Sequence, residues 1–109
     1  MEAGKLVRFF RGVAWFRMRP RDDLAAGSTR WVLADPGRAY VLYSYDAAGP
    51  MGLRQAPPGR CELRWFDPVS GEEVRRDGVR LAGGRPAWPK PPGFGEEAAL
   101  YVRRVSESP

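Results

Sequence analysis

The chain has 109 residues, enough for one small domain that buries roughly 60–70% of its unfolded surface without a disulfide or metal staple. Its 18 basic and 13 acidic residues give a net charge of +5. That excess sits in residues 1–21, where Lys5, Arg8, Arg11, Arg17, Arg19 and Arg21 oppose Glu2, and the remainder is balanced; a basic groove spread over the body, and with it a nucleic-acid platform, is therefore excluded as an expectation.

The opening stretch "GKLVRFFRGVAWFRMRPRDDL" (4–24) places Leu6, Phe9, Phe10 and Val13 at i, i+3, i+4 and i+7. This spacing predicts a short amphipathic helix whose apolar stripe packs against a neighbour, with Lys5, Arg8 and Arg11 turned away. Gly12 weakens the helix and Pro20 forbids its continuation past Arg19. A helix of about three turns is a short membrane anchor, and Arg17, Arg19 and Arg21 lie beyond it, so no membrane partner is expected. No apolar run reaches the length of a membrane-spanning helix. Lys5 and Arg8 interrupt what would be the core of a signal peptide; an export signal would lie upstream, and the compartment is not indicated.

From Gly27 onward the texture becomes short strands and turns. "TRWVLA" (29–34) and "RAYVLYSYD" (38–46) flank Asp35-Pro36-Gly37, a tight-turn signature, and predict a hairpin. It sets Trp31 opposite the tyrosine strand, with Val41, Tyr43 and Tyr45 on one face and Tyr40 and Leu42 on the other. "AAGPMGLRQAPPG" (47–59) reads as a loop. "RCELRWFD" (60–67) alternates, with Cys61, Leu63 and Trp65 sharing the buried face. A turn at Asp67–Gly71 leads to "EEVR" (72–75), then "GVRLA" (78–82). "RPAWPKPPGFGEE" (85–97) reads as mostly irregular, and "AALYVRR" (98–104) closes the domain with Leu100 and Val102 inward. Short strands punctuated by Gly and Pro, with no second helix, predict an all-β fold: an antiparallel β-sandwich of about 6–8 strands preceded by one helix.

No complete catalytic constellation follows from these residues. The chain has no histidine, which removes the commonest general base, the Ser-His and Cys-His nucleophile pairs, and most zinc sites. Cys61 lies on an apolar strand face, where a thiol is a small core residue. The carboxylate pairs Asp22-Asp23, Glu72-Glu73 and Glu96-Glu97 are adjacent, and strand neighbours point to opposite faces. Asp35 and Asp67 each precede proline in a turn, where capping of the backbone explains them. "GPMG" and "LAGG" lack the Lys-Ser/Thr and helix of a phosphate loop. No metal or cofactor is expected. The candidates for binding are aromatic: Trp31, Tyr43, Tyr45 and Trp88, any of which, if exposed, offers a plate for a sugar ring.

"LADPGRAYVLYSY", "PPGRCELRWFDPVSGEEV" and "PPGFGEEAALYVRR" resemble the family known as the collagen-binding domain of collagenase, a small β-sandwich at the C-terminus of apiosidase-type glycoside hydrolases and related bacterial proteins. The match covers roughly residues 29–104, through Asp35 to Tyr43, Trp65 to Gly71 and Pro91 to Val102, the Trp-Phe-Asp-Pro-Val-Ser-Gly element being its most specific part. Collagen enters only through the name, since these residues carry no logic for gripping a triple helix. "AWFRMRPRDDL" (14–24) resembles the junction between the last helix of a (β/α)₈ barrel and such a sandwich. The resemblance implies residues 1–24 as terminal helix and linker, residues 25–109 as the sandwich, and Leu6, Phe9, Phe10 and Val13 as packing against an upstream catalytic barrel. It implies a non-catalytic accessory domain that extends a polysaccharide-binding surface. The other reading is a stand-alone carbohydrate- or protein-binding module.

Overall fold

A computed structural model describes residues 17–56 and 58–106. Among these the chain forms nine strands: β1 (Arg19–Pro20), β2 (Ala25–Gly27), β3 (Trp31–Asp35), β4 (Ala39–Ser44), β5 (Met51–Leu53), β6 (Gly59–Phe66), β7 (Glu73–Leu81), β8 (Ala87–Trp88) and β9 (Ala98–Ser106), with a 3-10 turn at Asp22–Leu24 between β1 and β2. All pairings are antiparallel. Six strands make one sheet in the order β1-β3-β4-β9-β6-β7, and three make a second in the order β2-β5-β8. The two sheets share one apolar core, so the predicted all-β sandwich is present, with unequal sheets.

The β3–β4 hairpin forms where Asp35-Pro36-Gly37 predicts it. Gly37 takes φ +82°, a left-handed conformation that suits glycine, and its N–H donates to the Tyr40 hydroxyl at 3.0 Å. Strand alternation then sorts the large sheet into rows. Towards the small sheet run Val32, Leu42, Leu100 and Trp65, and beside them Ala34, Tyr40, Val102 and Leu63. Leu24, Met51, Leu53, Leu81 and Trp88 close over these from the other side. Trp65 is completely buried at the centre, and each large side chain here contributes about 1.5–3 kcal/mol through apolar burial.

The other face of the large sheet carries a second buried cluster, formed by Met18, Ala39, Val41, Tyr43, Phe66, Ala99 and Tyr101. β4 and β9 are therefore apolar on both faces, as suits central strands of a sheet buried on both sides. Every residue of Ala39–Ser44 is buried, and the tyrosine of this stretch that reaches solvent is Tyr45, just past the strand.

Several boundaries depart from the sequence reading. "EEVR" and "GVRLA" are one strand, β7: Asp77 and Gly78 stand opposite the single residue Glu62 as a bulge, and Gly78 takes φ +66° there, so glycine bends the strand instead of ending it. The 47–59 loop contains β5, and the 85–97 stretch contains β8, both short pieces of the small sheet. Gly52 of β5 lets Pro86 come close, since a Cβ there would lie 2.7 Å from the Pro86 carbonyl oxygen. The structured domain also begins before residue 25: β1 pairs with β3, and Leu24 is in the core. The predicted helix and its stripe Leu6, Phe9, Phe10 and Val13 lie outside the described residues.

Candidate functional site

Strand register brings three of the four aromatic candidates together. Trp31 pairs with Tyr43 across β3–β4, and their rings stack with centroids 5.0 Å apart and planes within 8°. Tyr45, two residues beyond Tyr43 and on the same side of the chain, lies 5.8 Å from Trp31 at 51°. Trp31 and Tyr45 are 52% and 54% exposed, whereas Tyr43 is buried beneath. The outcome is a solvent-facing aromatic pair seated on a third, buried ring. Trp88 is not part of it: it sits on β8 in the core, paired with Met51, so its Pro-rich context turns it inward rather than out.

Polar groups fix this cluster. Tyr43 donates its hydroxyl hydrogen to the Glu97 carboxylate. Burial, then that hydrogen bond and the carboxylate's charge, push the Tyr43 phenol far above its ordinary value, so it stays a neutral donor at physiological pH. Arg30 makes a fork with Asp46 at 2.8 and 2.6 Å while its guanidinium lies 5.9 Å from the Tyr45 ring centroid. The hydrogen bond from Arg30 holds the Asp46 carboxyl below its usual range, and Ser44 Oγ donates to the same carboxylate at 3.2 Å. The rim of the plate therefore carries Arg30, Asp46 and Glu97, which are donors and acceptors of the kind that meet sugar hydroxyls around a stacked ring. The sequence reading missed these three; Arg30 and Asp46 flank the hairpin strands, where their pairing follows from the Trp31–Tyr43 register.

The other carboxylates of interest hold structure. Asp67 is buried and accepts from the backbone N–H of Val69 at 2.9 Å, Ser70 at 3.2 Å and Gly95 at 3.4 Å, which caps the turn and ties it to the 94–97 segment. Glu62, buried on the outer face of β6, is gripped by Arg75 at 2.7 Å and Arg103 at 3.2 Å. Cys61 is buried in the core, and burial pushes its thiol up to about 11. Among the described residues no group of three or more His, Cys, Asp or Glu is arranged to hold a metal ion.

No family model matches the sequence, and no curated protein does. Among solved structures, the chain is similar to one named "Glycoside hydrolase", with a TM-score of 0.66 and 15% identity. The alignment covers 93% of this chain and 24% of that one. At that identity the likeness is one of fold: nearly the whole of this chain has the architecture of one part of a glycoside hydrolase chain about four times the aligned length.

Proposed function

We propose that the domain is a non-catalytic accessory β-sandwich of a glycoside hydrolase-like protein, and that it contacts polysaccharide through the Trp31–Tyr45 plate. The carrying observation is the plate itself: half-exposed Trp31 stacked flat on buried Tyr43, with Tyr45 beside it. A sugar ring presents an apolar face of C–H groups and an equatorial rim of hydroxyls. Trp31 offers the first an indole surface, and Arg30, Asp46 and Glu97 offer the second hydrogen bonds. The fold likeness to part of a glycoside hydrolase chain supports the setting. The engagement of Asp67 by backbone amides, of Glu62 by two arginines and of Asp46 by Arg30 supports a binding role over hydrolysis, because a hydrolytic pair needs two carboxyl groups free to face one bond. In this reading the stripe Leu6, Phe9, Phe10 and Val13 packs on an upstream barrel.

Affinity electrophoresis through gels containing neutral polysaccharides tests this reading. Retardation by at least one, abolished in Trp31→Ala and kept in Val69→Ala, is expected. Equal mobility of wild type and Trp31→Ala in every gel overturns it.

A further inference from the structure

The two exposed rings of the plate do not share a plane. Trp31 and Tyr45 lie 5.8 Å apart between centroids, with their planes inclined by 51°. Rings set this way form a corner, and a corner cannot lie flat against a planar surface. Tyr43, parallel to Trp31, adds no open area, because it is buried behind the indole. Trp31 therefore has one face for a ligand, and Tyr45 stands beside that face as a wall.

Among the described residues no second platform continues the first. Their exposed large hydrophobic side chains are Trp31, Tyr45, Val69 and Val105. Val69 lies in the turn after β6 and Val105 near the end of β9, and neither carries a ring. Trp65 and Trp88 are buried in the core. A polysaccharide chain laid along the domain would thus meet an aromatic plate at one unit. Extended chains gain affinity when successive units find successive sites, and these residues supply one.

The Arg30–Asp46 fork closes the corner beside Tyr45. Arg30 commits Nε and Nη2 to Asp46, at 2.8 and 2.6 Å, which leaves Nη1 to donate outward. Asp46 Oδ1 already accepts from Arg30 Nε and from the Ser44 hydroxyl, so Oδ2 keeps the greater accepting capacity. One sugar hydroxyl can accept from Nη1 while the hydroxyl on the adjacent carbon donates to Oδ2.

We propose that the plate is a single-unit site. It takes one neutral sugar ring with a free pair of adjacent hydroxyls, presented on a side branch or at a chain end, and it does not adhere to flat crystalline polysaccharide. The assignment rests on the reading of the plate as a polysaccharide contact. Trp31 stacks on the C–H face of the ring, Tyr45 bounds it, and the Arg30–Asp46 fork selects the hydroxyl pair.

Chain length and surface order test it. The Trp31 indole N–H is followed by NMR while the 109-residue chain is titrated with the methyl glycosides of glucose, xylose, mannose and arabinose, and with a hexasaccharide of each. For a sugar that binds, the hexasaccharide should bind within about threefold of the methyl glycoside, and removal of one hydroxyl of the pair should weaken binding about tenfold. Arg30→Gln, at a half-exposed position, should weaken it several-fold and keep the fold. Microcrystalline cellulose should retain none of the protein. The assignment is overturned if affinity climbs further with chain length, if every deoxy analogue binds equally, or if microcrystalline cellulose retains the protein and Trp31→Ala abolishes that retention. A Trp31 signal unmoved by every ligand instead removes the plate as a contact, and the single-unit site with it.

Discussion

Trp31 lies parallel to Tyr43 with 5.0 Å between ring centroids, and Tyr43 is itself anchored through its hydroxyl to Glu97. An exposed indole is thereby held by a buried ring whose own position is fixed by a strand and a hydrogen bond. Such a plate loses little conformational freedom when it meets a ligand, which is what makes a rigid aromatic effective for recognition.

Replacement of Tyr43 separates the plate's support from its surface. Tyr43→Phe keeps the ring under Trp31 but removes the donor to Glu97, leaving a part-buried carboxylate without it. We expect a loss of about 1 kcal/mol in urea unfolding at pH 7. The Tyr43 phenol is raised in the fold, so its contribution is complete below the ordinary tyrosine value of about 10 and is lost as pH rises beyond it. Stability of wild type should therefore fall more steeply than that of Tyr43→Phe above pH 10.

Asp67 has the opposite sign. Burial pushes its carboxyl up, but the N–H groups of Val69, Ser70 and Gly95 outweigh that and leave it lowered. Its contribution is present above about pH 4, the ordinary aspartate value, and is lost as pH falls through the folded value below it. Asp67→Ala should cost about 1–3 kcal/mol at pH 7, with a smaller deficit at pH 3, by denaturant melts at the two pH values.

Trp65 tests the shared core. It is fully buried between the sheets and meets Phe94 edge-on at 6.2 Å. Trp65→Ala should destabilise the domain by about 3–5 kcal/mol, enough to unfold a marginal domain of this size at 37 °C. Circular dichroism melts report it.

Cys61 gives a chemical reading of the same core. Buried, with its thiol pushed up to about 11, it should resist a water-soluble disulfide reagent in the native protein and react at once in concentrated urea.

How far the sequence carried can be seen in β4 and β7. The hairpin, the β6 alternation and the pairing of Trp31 with the tyrosine strand all follow from local signals: a Pro-Gly turn, a period of two, and the register a short turn imposes. Tyr43 and Trp88 were less legible. Burial of Tyr43 depends on apolar neighbours on β9 and β6 that are distant in sequence, and Trp88 is drawn inward by β5, a three-residue strand hidden in a Gly/Pro-rich loop.

The most direct test of the plate is the indole N–H spectrum during titration with neutral oligosaccharides built from glucose, xylose, mannose or arabinose. The Trp31 signal should shift saturably with at least one of them while those of Trp65 and Trp88 stay in place, and Trp31→Ala should abolish the binding. A Trp31 signal that does not move across the whole set, in a protein shown to be folded, would contradict the assignment.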